Sequence, residues 1–108
     1  MHPIALMIMF DMIQYLVSSG VNPVITSTVS TIQEDKELGR VSLTHRTGRA
    51  FDLSIKEWPD NFTNYFVRRF KNKYGHYGAI VNGSPSLIVD HIGTARHLHI
   101  QINAKYKR

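Results

Sequence analysis

Two short stretches constrain the fold of this chain more than any others. Arg49-Ala50-Phe51-Asp52-Leu53-Ser54-Ile55 alternates apolar and small or polar residues, and so does His97-Leu98-His99-Ile100-Gln101-Ile102. A period of two is that of a half-buried β-strand, whose successive side chains point to opposite faces. Leu98, Ile100 and Ile102 therefore share one face, and His97 and His99 share the other. The first stretch places Asp52 on a similarly rigid element. His45 precedes Asp52 by seven residues; in extended chain the two would point oppositely and lie about 23 Å apart. The chain must fold back between them, and Thr47-Gly48 is where it can, because glycine accepts turn dihedrals without steric cost.

The chemistry carried by these stretches is that of metal ligation. A protein-bound zinc ion takes imidazole nitrogen, thiolate sulfur or carboxylate oxygen, and a catalytic site keeps one position open. The 108 residues include no cysteine, which excludes disulfides, thiolate ligands and a cysteine nucleophile. Any metal site must use histidine and carboxylate, and His45, Asp52 and His99 are three such donors. Two imidazoles and a carboxylate favour zinc among the divalent ions.

At these residues the chain resembles a known family. His45-x-x-Gly48-x-Ala50-x-Asp52, followed by His97-x-His99, is similar to the motifs of the zinc metallopeptidases that include D-Ala-D-Ala carboxypeptidases, bacteriophage peptidoglycan-cleaving endolysins and the metal-binding domain of hedgehog proteins. The likeness covers residues 24 to 103. It implies an α+β fold, hedgehog/D-Ala-D-Ala-peptidase-like, in which two main helices pack against an antiparallel sheet of about four strands. By the same resemblance His45, Asp52 and His99 are the ligands of a Zn2+ ion, and His97 is an auxiliary catalytic residue beside it. Relatives often carry Ser-Gly-Tyr-Arg at the end of an early strand, the arginine holding a substrate carboxylate. Here Ser27-Thr28-Val29-Ser30 stands in that place. Recognition of a terminal carboxylate favours a fixed guanidinium fork, so the expectation moves from a carboxypeptidase towards an endopeptidase, with Arg40, Arg46 and Arg49 as substitutes for the missing arginine.

The remaining chain reads as scaffold for one domain spanning residues 1–108, with room for a single core and a single site. Residues 3 to 19 suggest a helix with Pro3 in its first turn and Gly20 as its C-terminal cap. Asp11, Gln14 and Ser18 form one narrow polar stripe, which predicts a deeply packed helix. A signal peptide fits poorly, since there is no basic start, Asp11 interrupts the apolar run, and no cleavage site stands out; the segment is also too short to span a bilayer. Val24 to Val29 is β-branched and strand-like. Residues 31 to 43 read as a surface loop. Trp58-Pro59-Asp60-Asn61 starts a second helix that Gly75 closes, with Phe62, Tyr65, Phe66, Phe70 and Tyr74 as its apolar stripe and Arg68, Arg69, Lys71 and Lys73 near its C-terminal end, where cations complement the helix dipole. His2 and His76 read as surface residues.

From Tyr77 a meander of strands is expected: 77–81, a turn over Asn82 to Pro85, 86–90, and 97–103. With Gly93-Thr94 as a two-residue loop, Asp90 falls opposite His97, and an aspartate touching a histidine beside a metal is the arrangement of a general base and its partner. In relatives the base is an acid three or six residues before the last ligand; those positions are Arg96 and Gly93 here. Asp90 is therefore the first candidate for the base and His97 the second. His91 is expected to face away from His97.

The net charge of +5 asks for an anionic partner. Nucleic acid is one class, but the aromatic residues of the second helix are explained as core, so no specific nucleic-acid partner is expected. Bacterial cell wall, with its acidic polymers, is the other. The resemblance implies a peptidoglycan peptidase of phage lysis, acting on cell-wall peptides in the periplasm, made without a signal peptide in a host cytoplasm or carried by a virion. The competing class is a non-catalytic metal-binding recognition module or virion component with the same fold.

Overall fold

The computed structural model describes residues 1–28, 48–91 and 96–106. The loop expected over 31–43, His45 with the residues just before Gly48, and the Gly93-Thr94 turn lie outside the described residues. The chain forms helix α1 (Pro3–Ser18), strands β1 (Ile25–Ser27) and β2 (Ala50–Ser54), helix α2 (Asp60–Tyr74), and strands β3 (Ala79–Val81), β4 (Ser84–Ser86), β5 (Ile88–His91) and β6 (His97–Gln101). The fold is α+β: two helices cover one face of a four-stranded antiparallel sheet of order β1-β2-β6-β5.

Alternation builds the core as the sequence predicts. Phe51 and Leu53 of β2, Leu98 and Ile100 of β6 and Ile88 of β5 are buried against Ala5, Ile8, Met12 and Leu16 of α1 and Phe66 and Phe70 of α2. Each fully buried Leu, Ile or Phe contributes about 1.5–3 kcal/mol, so this interlayer contact is the main force holding the helices to the sheet. No helix among the described residues is long and apolar enough to cross a membrane.

Helix α1 departs from expectation. Its buried stripe is one residue wide, Ala5-Ile8-Met12-Leu16, while Met7, Phe10 and Val17 are exposed, the last two by 60% and 62%. Counting polar residues identifies a stripe that avoids the core, but apolar residues beside it need not be covered. Asp11, on that stripe, accepts hydrogen bonds from Lys73 Nζ at 2.6 Å and Tyr74 Oη at 2.5 Å, which ties α1 to the end of α2. The helix ends as expected, with Gly20 at φ +77°, the left-handed position that follows many helix C-termini. Its start corrects the reading of His2 as a surface residue. His2 is buried; its Nδ1 accepts from the Ile4 amide at 3.1 Å and its Nε2 donates to the Tyr106 carbonyl at 2.9 Å, so an imidazole serves as N-cap. The His2 amide donates to the Gly48 carbonyl at 2.9 Å, fastening the chain start to the turn that enters β2.

Helix α2 carries its apolar stripe on Phe62, Phe66, Phe70 and Tyr74, spaced by four; Tyr65 lies off it and is exposed. Gly75 does not take a left-handed cap. At φ −56° it leads into a 3-10 turn, Gly75–Tyr77, which shortens the following strand to Ala79–Val81. That strand does not join the main sheet as a meander would. It pairs with β4 in a separate hairpin whose two-residue loop is Asn82-Gly83, at φ +52° and +81°, the dihedral signs of a type I′ turn.

Candidate metal centre

Strands β2 and β6 are the two central strands, and their register brings the far-apart motifs together. Asp52 is the register partner of His99, and Ser54 that of His97. Directly opposite residues of an antiparallel pair share a face with Cβ atoms about 5 Å apart, close enough for a carboxylate and an imidazole to meet. Asp52 Oδ1 and His99 Nδ1 are 2.8 Å apart, and their side chains are only 11% and 13% exposed. Phe51, Leu53, Leu98 and Ile100 point into the helix-covered core, so Asp52 and His99, which alternate with them, occupy the opposite face. On the same rung Ser27 of β1 is the partner of Asp52 and Val89 of β5 the partner of His99.

The turn that delivers β2 is set by Gly48, buried at φ +73°, a backbone conformation that glycine adopts without the strain of a Cβ. The spacing from Gly48 to Asp52 is therefore a backbone device: a turn residue, then a strand whose third position is the carboxylate. Arg49 precedes the strand, and its backbone carbonyl accepts from the Ile102 amide at 2.8 Å, extending the β2–β6 ladder. Its Nε is buried without a hydrogen-bond partner among the described residues.

Asp52 and His99 present a carboxylate oxygen and an imidazole nitrogen 2.8 Å apart, two donor types that zinc takes. Two donors on a tetrahedral zinc ion at about 2.0–2.1 Å lie about 3.3 Å apart, so the Asp52–His99 pair needs to open by only about 0.5 Å. Among the described residues no group of three His, Cys, Asp or Glu side chains could hold a metal. The expected third ligand, His45, lies outside the described residues.

The expected strand pairing of Asp90 with His97 does not form. Asp90 is the register partner of Leu98, and it is His91 that stands opposite His97. This register is shifted by one residue from the expected pairing of Asp90 with His97, and a one-residue slip moves every side chain of a strand to the other face. Asp90 accordingly lies on the helix side of the sheet. Its carboxylate takes the Arg96 guanidinium in two contacts, 3.4 Å from Nε and 2.9 Å from Nη2, while Arg96 Nη1 reaches Asp60 at 3.2 Å. Asp90 is part of an ion-pair link from the β5–β6 hairpin to the start of α2. Not foreseen from the sequence are Ser27 and Ser54, neighbours of Asp52 and His97; only strand pairing puts them there, and no local signal announces it. Comparisons with protein-family models, with curated proteins and with solved structures gave no match.

Proposed function

We propose that the chain is a zinc-dependent peptidase of bacterial peptidoglycan, with a hedgehog/D-Ala-D-Ala-peptidase-like arrangement and an endopeptidase preference. The observation that carries this reading is the 2.8 Å approach of Asp52 to His99 on adjacent central strands, with His97 two residues before His99. His45, Asp52 and His99 would hold the ion. When bound, zinc supplies Lewis acidity, polarising a carbonyl and acidifying water. His97 is the residue assigned to proton transfer: its imidazole takes a proton from the water that adds to the scissile carbonyl carbon, gives it to the amine nitrogen as the C–N bond breaks, and in its charged form steadies negative charge on the carbonyl oxygen. Asp90 has no part in this scheme, because Arg96 holds it on the other face. The low exposure of Asp52 and His99 favours chemistry there, since charge interactions gain strength where water is excluded.

The same 2.8 Å contact supports a second, metal-free reading, in which Asp52 fixes the tautomer of His99 as an aspartate does for a general-base histidine. Metal analysis of the purified protein, paired with mass spectrometry of muropeptides released from purified peptidoglycan, separates the possibilities. The proposal expects one zinc per chain, lost in Asp52→Ala and His99→Ala, and stem-peptide cleavage lost in His97→Ala with zinc retained. Cleavage without bound metal moves the site to the second reading. Bound zinc with intact peptidoglycan leaves a non-catalytic recognition module.

A further inference from the structure

Helix α2 carries four cations in six residues, Arg68, Arg69, Lys71 and Lys73, with no acid among them. They divide into two pairs. Lys73 binds Asp11 at 2.6 Å, and the Arg69 guanidinium lies 4.7 Å above the Tyr15 ring, so this pair is engaged with α1. Arg68 and Lys71 are exposed and border a cleft of about 420 Å³ between α2 and β5. Asn64 and Asn72 flank them on the same helix, and Val67 and Ile88 line the cleft with apolar surface. Asp90, the one acid among the described residues that line this cleft, is already held by Arg96. The cleft is therefore net positive, with two amide side chains available as donors.

We propose that this cleft is a docking groove for a linear polyol-phosphate chain, such as wall-linked poly(glycerol phosphate). Arg68 and Lys71 are three residues apart, about 4.5 Å along the helix axis, so they can meet neighbouring phosphates of a slender chain. β5 is the last strand in the sheet order, which leaves the groove beside a sheet edge rather than in a closed pocket. None of the described residues lining it is aromatic, whereas single-stranded nucleic acid is usually held by bases stacked on aromatic side chains. The overall charge of +5 adds long-range attraction for any polyanion. The groove lies on the helix side of the sheet, away from Asp52 and His99, and the proposal does not depend on the metal site.

The test measures binding of soluble poly(glycerol phosphate) to the whole chain at low ionic strength, with zinc content followed separately. Arg68→Gln/Lys71→Gln is expected to weaken binding about tenfold and to lower the salt slope by about 0.7 for each lost contact, as for single-stranded polyanions. Lys56→Gln/Lys105→Gln removes equal charge elsewhere and is expected to change affinity less than twofold. In the unsubstituted protein, amide NMR shifts on titration should concentrate at residues 64–72 and 88–90. Equal loss in both double variants reduces the effect to net charge and overturns the groove, as do shifts scattered over the surface or absence of binding. Tighter binding of an oligodeoxythymidylate or of polyglutamate at matched charge overturns the choice of partner.

Discussion

Asp52 and His99 form the pair on which the candidate site rests, and each is nearly closed off from solvent. Removing one partner leaves the other buried with its hydrogen bond unmade, which costs about 1–3 kcal/mol. Asp52→Ala and His99→Ala should each destabilise the chelator-treated protein by that amount in urea denaturation. The double variant should lose less than the sum of the two, with a coupling of about 0.5–3 kcal/mol. Strictly additive losses would show that the contact contributes nothing in solution. The local geometry around this pair was readable in the sequence because turn preference and alternation act within a few residues: Gly48 adopts its left-handed turn, and Asp52 lies on the face away from Phe51 and Leu53. The burial of His2 was not readable, because it depends on the Tyr106 carbonyl at the far end of the chain.

At the scale of elements, the β3–β4 hairpin is held to the sheet by a close approach at Gly78. Gly78 bridges to Ile102, and a Cβ there would sit 2.4 Å from the Leu87 amide nitrogen and 2.7 Å from the Ser86 carbonyl carbon. Both are backbone atoms, which cannot move aside as a side-chain tip can. Gly78→Ala should destabilise the fold by about 1–3 kcal/mol through overpacking, with faster hydrogen exchange concentrated in the hairpin and at Leu87. Unchanged exchange would mean that the hairpin is not anchored there. The position of the hairpin's turn was legible from Asn82-Gly83, which favours a type I′ loop locally, but the turn expected over Asn82 to Pro85 is shorter, and Ser84–Ser86 forms β4 instead. Its separation from the main sheet was not, because Gly75 continues into a 3-10 turn instead of stopping the chain in a left-handed cap, and this consumes the residues that a longer β3 would have used.

At the scale of the whole molecule, the two helices share a sheet face and are joined to each other through Asp11. Burial alone would raise the Asp11 carboxyl, but hydrogen bonds from Lys73 and Tyr74, with the charges of Lys73 and Arg69, hold it below the usual aspartate value. A carboxyl depressed in the folded state stabilises the fold fully above its unfolded pKa of about 3.9, and the contribution disappears as pH falls through the lower folded value. Asp11→Asn should therefore be less stable than the unsubstituted protein at neutral pH, and the two stabilities should converge below about pH 4. A gap that persists in acid would assign the effect to packing rather than charge. The stripe of Met7, Phe10 and Val17 exposed on α1 is the complementary lesson: the sequence marks which side of a helix is most polar, but coverage of the apolar remainder depends on how many elements pack around it.

The sequence by itself determined what is periodic and local. It set the two helices, the alternating runs of β2 and β6 with the apolar faces that make the core, and the turns that begin at Gly48 and Asn82-Gly83. These follow from dihedral preferences and side-chain alternation, which act within a few residues. Only the tertiary structure decided which strands became neighbours and in what register. Pairing β2 with β6 set Asp52 against His99 and Ser54 against His97, and the β5–β6 register set His91, not Asp90, against His97. Register is a collective choice of loop geometry and core packing, and a shift of one residue exchanges the faces of an entire strand.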